Sequence, residues 1–149
     1  MVGMNDTNNE DGHIDFYVAG PFFDPEQAHS MEHLEQVLED HGKTLFKPRF
    51  ASQIEEVGPE GCFTDDIGGI DAADAVIANL MDEDAGTMFE IGYAYALGKP
   101  VYGYRDELTP MDRVNLMVAQ AVKAVFNGPE DLAKYLETGE HEEVDYIQF

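Results

Sequence analysis

Positive charge is scarce in this sequence: eight Lys and Arg residues stand against 31 Asp and Glu, for a formal net charge of −23. A surface this negative repels nucleic-acid backbones and anionic membranes, so neither a polynucleotide nor a lipid surface is an expected partner. Cysteine is almost missing. Cys62 stands alone, which excludes an internal disulfide and a cysteine-rich metal site, and with no paired His it reads as a packing residue. No run approaches the roughly 20 apolar residues that span a bilayer. The stretch from Met1 to Asp11 is polar and acidic and lacks the pattern of a secretory signal, so a cytoplasmic location is expected.

The sequence does contain enough apolar material for one core: 149 residues, 44% of them hydrophobic. The reading is a disordered acidic arm over residues 1–12 and a single domain over 13–149. Acids are spread along the whole chain, and only five basic residues are Lys. Self-repulsion of such a surface is relieved by salt, which points to a halophilic cytoplasm; the plainer reading is an ordinary acidic protein.

The run Ile14 to Ala19 is rich in β-formers and ends at Gly20-Pro21, as a first buried strand does. Asp24, Pro25 and Gln27 supply an N-cap, a first-turn proline and a capping-box partner. Ala28, Met31, Leu34, Val37 and Leu38 then recur at helical spacing up to His41-Gly42. Thr44–Phe46 is a short strand. Residues 47–61 carry Pro48, Gly58, Pro59 and Gly61 and read as a loop. Helix is expected over 62–73, strand over 75–80, an acidic loop over 81–85 and helix over 86–97. Strand follows at 100–104, helix at 110–119, strand at 121–126, and a helix from Gly128-Pro129 to about Leu136. This alternation predicts an α/β fold, a flavodoxin-like doubly wound, five-stranded and mostly parallel sheet with helices on both faces. Ligands in such sheets bind outside the carboxyl ends of the strands, near the switch in strand order.

The first of those ends, Gly20-Pro-Phe-Phe-Asp-Pro, lacks both the dinucleotide fingerprint and the P-loop Lys, and no Lys or Arg is near it. Phe22 and Phe23 form either an apolar wall for a flat ring or part of the core. Acids gather at the other ends. Asp65 and Asp66 lie near one helix start, where they could simply favour the helix N-terminus. Asp82-Glu83-Asp84 follows the central strand, as a solvated loop or a Mg²⁺ site. Glu90 lies about one turn into the next helix, flanked by Phe89, Ile91 and Tyr93 and sharing a face with Gly86 and Ala94. A carboxylate in partly apolar surroundings has a raised pKa and serves as acid, base or nucleophile. Two or three such groups in one cleft suit glycosidic chemistry. His29 and His33 share a helical face, but no third zinc ligand accompanies them.

Four blocks in this order carry a resemblance: Phe-Tyr-Val-Ala-Gly-Pro-Phe-Phe at 16–23, the stretch from Asp65 to Leu80, Asp-Ala-Gly-Thr-Met-Phe-Glu-Ile-Gly-Tyr-Ala at 84–94, and Val-Asn-Leu-Met at 114–117. Together, from Ile14 to about Ala119, the chain resembles the nucleoside 2-deoxyribosyltransferase family. The resemblance implies transfer of 2-deoxyribose between nucleobases by double displacement, a step in nucleotide salvage, with deoxynucleosides and free bases as substrates and no metal or other cofactor. It implies Glu90 as the nucleophile that attacks C1′, Asp66 and Asp84 as the acids that hold the base and manage its proton, and Tyr17 as the group that orients the nucleophile. Asn115 matches an Asn that reaches the 5′-hydroxyl across a subunit interface, so a homo-oligomer, dimer or higher, is implied. Gln53 is carried over as a base contact, and Gly20, Phe22, Phe23, Gly86 and Met117 as substrate-binding positions. The alternatives are an N-glycoside hydrolase of deoxynucleosides or their 5′-monophosphates, and a non-catalytic nucleotide-binding domain. A 5′-phosphate calls for basic or hydroxyl groups that the first loop does not offer.

Overall fold

A computed structural model describes residues 12–149. The expected arm at 1–12 therefore lies, for residues 1–11, outside the described residues. In the first strand, β1 (Ile14–Ala19), side chains alternate from Phe16 onward: Phe16 and Val18 pack on one face of the sheet, and Tyr17 and Ala19 on the other. The helix α1 (Pro25–Asp40) starts at Asp24, whose Oδ1 accepts from the Gln27 backbone N–H, and buries Met31, Leu34 and Leu38. A short β2 (Leu45–Phe46) follows, then α2 (Pro48–Ala51), α3 (Ile54–Ala72), β3 (Ala73–Asn79), a 3-10 turn at Met81–Glu83, α4 (Ala85–Ala96) and β4 (Val101–Arg105). The chain closes with β5 (Arg113–Val114), α5 (Leu116–Ala121), β6 (Val125–Asn127), α6 (Gly128–Thr138) and β7 (Ile147–Gln148).

The main sheet has the order β2-β1-β3-β4-β6, and every pairing in it is parallel. The expected five-stranded doubly wound sheet is present, and it is wholly parallel. One core layer joins Val18, Ile77, Tyr104 and Phe126 to Met31, Leu34 and Leu38 of α1 and Leu132 of α6. The opposite layer joins Tyr17, Val76, Ala78 and Val101 to Ile70 of α3, Ile91 and Ala94 of α4 and Val118 of α5. Helices thus cover both faces, as a sheet of this kind requires. From β1 the chain steps outward to β2, then returns across β1 to β3. The switch in strand order falls between β1 and β3, and their carboxyl ends open the crevice there.

Three local expectations are corrected. The loop predicted over 47–61 is largely helical, because Pro48 and Pro59 begin helical turns rather than interrupt them; the break comes at Gly58, whose φ is +73°. The helix predicted over 110–119 is confined to Leu116–Ala121. Thr109 and Asp112 close a turn instead: the Thr109 N–H donates to Asp112 Oδ2 and the Asp112 N–H to the Thr109 carbonyl. The strand predicted from Ala121 starts only at Val125, since the Val122 N–H still bonds back to Val118 as the helix cap. A further small sheet, β5 with β7, forms where no strand was expected. Among the described residues, no helix is long and apolar enough to cross a membrane.

Candidate active site

The pleat of β1 decides which aromatic reaches the crevice. Phe16 packs towards α1 and α6, whereas Tyr17 points to the α3 and α4 side and is fully buried. Phe46 of β2 lies against it, ring centroids 5.4 Å apart and nearly parallel. Gly69 of α3 leaves room for that stack: a Cβ there would come within 2.7 Å of the Phe46 ring. So held, Tyr17 donates its hydroxyl hydrogen to Glu90 Oε2 at 2.6 Å.

Glu90 is half-buried on α4, one helical turn above the buried Ala94 and next to the buried Ile91. Asp84 caps the start of the same helix. Its Oδ2 accepts from both the backbone N–H and the hydroxyl of Thr87, at 2.9 Å each, which stabilises the helix start by about 1 kcal/mol. Asp66 lies on α3. Its Oδ1 is buried without a hydrogen-bond partner, an arrangement that costs stability and is uncommon in a native fold.

Electrostatics ties these groups together. The Glu90 carboxyl is raised to about 7: burial pushes it up most, the Tyr17 hydrogen bond pulls it down, and the charges of Asp66 and Asp84 add to the rise. Asp66 is raised to about 6, by burial first and by Asp65 second. Tyr17 is raised far above the ordinary phenol range by burial and by Glu90, so it is a hydrogen-bond donor throughout the physiological range. Burial and neighbouring acids thus raise both Glu90 and Asp66 above the ordinary carboxylate range, towards neutral pH. The arrangement supplies a positioned carboxylate and a neighbouring acid, with a phenol fixing one oxygen of the former and leaving the other free to react.

The loop after β1 forms the next wall. Gly20 lies where a side chain cannot fit: a Cβ would meet Met31 Sδ at 2.4 Å and Asn79 Cβ at 2.9 Å. Phe22 and Phe23 stack on one another at 4.8 Å and are exposed, Phe23 by 71%; they are not core residues. The loop after β3 faces them. Asp82 and Glu83 both adopt left-handed backbone, φ +61° and +45°, a conformation that costs a non-glycine residue roughly 1 kcal/mol or more. Gly86 is exposed in the first turn of α4, and a Cβ there would lie 3.3 Å from Asp84 Oδ2.

Gln53 is exposed and donates to the Arg49 carbonyl at 3.3 Å. Asn115 caps α5 by accepting from the Met117 N–H, and Met117 is 73% exposed. Met117 and Leu116, the residue directly after Asn115, line an open apolar groove of about 300 Å³ between α4 and α5, to which Met88, Ile91 and Tyr95 also contribute. Sequence reasoning missed Thr87 and Phe46. Thr87 had a signal, being three residues after a helix-starting Asp; Phe46 had none, because strand pairing brings it to Tyr17. His29 and His33 stack edge to face, and His33 approaches Asp106 at 3.3 Å. Among the described residues, the group with metal-ligand spacing is His13, Asp15 and Asp74, at the amino ends of β1 and β3 and so at the opposite end of the sheet.

A phenol-held carboxylate with a second acid, at the strand ends of a parallel doubly wound sheet, suits glycosyl transfer or glycosidic cleavage. The family model for nucleoside 2-deoxyribosyltransferase matches residues 16–136, and the chain belongs to that family. The 2-deoxyribosyltransferase of Bacillus psychrosaccharolyticus is 33% identical, with a TM-score of 0.69, over 81% of this chain and 91% of that one. The 2-desoxiribosyltransferase of Leishmania mexicana is 23% identical, with a TM-score of 0.62, over 85% of this chain and 99% of that one. The CMP N-glycosidase BcmB of Clostridium botulinum shares the fold at 20% identity and a TM-score of 0.56, over 83% of this chain and 98% of that one. No curated protein sequence matches the chain.

Proposed function

We propose that this protein transfers 2-deoxyribose between nucleobases through a covalent deoxyribosyl-Glu90 intermediate. The observation that carries this reading is the 2.6 Å hydrogen bond from Tyr17 to Glu90 beside the buried, unpartnered oxygen of Asp66. In the first step the free oxygen of the Glu90 carboxylate attacks C1′ as the C1′–N bond breaks. The bonding electrons leave with the base, which takes a proton from Asp66, with Asp84 holding the base. In the second step a new base attacks C1′, displaces the Glu90 carboxylate and returns a proton to the acid. The substrates are deoxynucleosides and free nucleobases, and the cycle calls on no cofactor. The setting is nucleotide salvage in a cytoplasm, and the net charge of −23 favours a salt-rich one.

The protein works as a homo-oligomer in this reading. The α4–α5 groove is lined entirely by uncharged residues in a chain of net charge −23. Two copies can meet there without bringing acids together, covering apolar surface that would otherwise face water. Asn115 and Met117 lie at its edge, suited to completing a neighbour's sugar site. Sedimentation of wild type and of Tyr95→Asp tests this: a larger wild-type species that the variant dissociates supports it, and a monomeric wild type rejects it.

Transfer is separated from hydrolysis by incubating the protein with a deoxynucleoside and a second free base, in high and low salt. New nucleoside is the expected product. Free deoxyribose in its place would make the protein a hydrolase, and unchanged reactants would reject both activities.

A further inference from the structure

We propose that Gln27 is a positioning residue that locks the Phe22–Phe23 loop to the acidic loop after β3, and so fixes the base-binding side of the site. The assignment rests on the reading of this crevice as a nucleoside site. Three hydrogen bonds converge on this residue. Its backbone N–H donates to Asp24 Oδ1 at 2.8 Å, which anchors it in the first turn of α1. Its side-chain oxygen accepts from the Phe23 N–H at 2.9 Å. Its side-chain Nε2 donates to Asp82 Oδ2 at 2.9 Å, across 55 residues of sequence.

The capping-box pattern predicts that the Gln27 oxygen returns to the N-cap, Asp24. It reaches one residue further, to Phe23, and the amide nitrogen is left to span the crevice. The partner, Asp82, begins the left-handed pair Asp82-Glu83. Such backbone persists only where surroundings hold it. Short-range support comes from the Met81 N–H on Asn79 Oδ1 and the Glu83 N–H on the Leu80 carbonyl; the long-range support is Gln27. Two residues past Asp82 stands Asp84, which caps the helix carrying Glu90. One amide thus ties the aromatic wall to the acidic side of the crevice.

The chemistry requires an amide. The tip must accept on one side and donate on the other, which Gln does and neither an ionised Glu nor Lys can. Gln27→Glu keeps the acceptor for Phe23 but sets a second carboxylate against Asp82. Asp82→Asn alone keeps the bond, because the introduced amide oxygen accepts from Gln27. The double variant Gln27→Glu with Asp82→Asn restores it with reversed polarity, the introduced amide donating to the introduced carboxylate.

Two readouts test the proposal on the full chain: hydrogen exchange of the 20–24 and 80–84 amides in the resting protein, and steady-state KM and kcat for base exchange. Gln27→Glu and Gln27→Ala are expected to speed exchange in both loops about tenfold and to raise KM roughly five- to tenfold with kcat within about twofold. Asp82→Asn and the double variant are expected to resemble wild type in both. Unchanged exchange and KM in Gln27→Glu and Gln27→Ala would overturn the proposal, as would a double variant no better than Gln27→Glu. The exchange readout needs no turnover. A wild type that neither transfers nor hydrolyses would reject the functional reading and leave the link between the loops to be judged on exchange alone.

Discussion

Tyr17 and Glu90, 73 residues apart in the chain, meet at 2.6 Å where the first strand passes under the fourth helix. The phenol is buried and the carboxylate half-buried, so the bond is shielded from competing water. It is the interaction that lowers the Glu90 pKa against burial and two neighbouring acids.

Removing that donor therefore moves an ionisation in a known direction. With Glu90 as the nucleophile, the acidic limb of kcat/KM in wild type is expected to follow the loss of its proton, near pH 7. Tyr17→Phe is expected to shift that limb to higher pH and to lower activity about tenfold or more at neutral pH, with partial recovery as pH rises. A limb that stays put or moves to lower pH would contradict the assignment.

The same group links pH to stability. The Glu90 pKa is raised on folding, from 4.5 to about 7. Between those values the folded state keeps a proton that the unfolded chain has lost, so stability falls as pH rises through this window and the full cost is present above it. Glu90→Gln removes the cost while keeping an acceptor for Tyr17. The variant is expected to be inactive, yet more stable than wild type at pH 8 by on the order of 2 kcal/mol, with the difference vanishing towards pH 4. Urea unfolding at several pH values measures it.

Support behind the site is equally exposed to test. A methyl at Gly69 would enter the Phe46 ring that stacks on Tyr17. Gly69→Ala is expected to lose about 1–3 kcal/mol of stability and to reduce activity beyond what that loss explains at a temperature where the variant is folded. Thermal unfolding beside kcat/KM separates the two effects.

The charge surplus makes its own prediction. With a net charge of −23, screening should raise the melting temperature by more than about 5 °C between ~0.1 M and ~2 M KCl. A melting temperature indifferent to salt would remove the halophilic reading.

Much of this architecture was legible in the chain. The β1, α1, β3 and α4 segments declare themselves through period, caps and Pro or Gly punctuation, and Glu90 stands out as a charge among apolar helical neighbours. The family blocks pointed to Asp66, Asp84 and Tyr17; the Tyr17 hydroxyl bonds Glu90, and the charges of Asp66 and Asp84 act on it. Other parts were hidden for physical reasons. Pro48 and Pro59 carry the same local signal whether they open a helix or a loop, and only packing chose helix. Ala121 and Val122 look like a strand start, but they finish and cap α5. The stack of Phe46 on Tyr17 and the bond from Gln27 to Asp82 depend on strand order and loop geometry, which no short stretch of sequence records.

The central claim is that Glu90 carries the sugar. Its most direct test is mass spectrometry of the protein mixed with a deoxynucleoside in the absence of an acceptor base, followed by acid quench and peptide mapping. One deoxyribosyl unit is expected on the peptide containing Glu90, lost when a second base is supplied and absent in Glu90→Ala. An adduct on a different residue, or base exchange in Glu90→Ala at the wild-type rate, would contradict it.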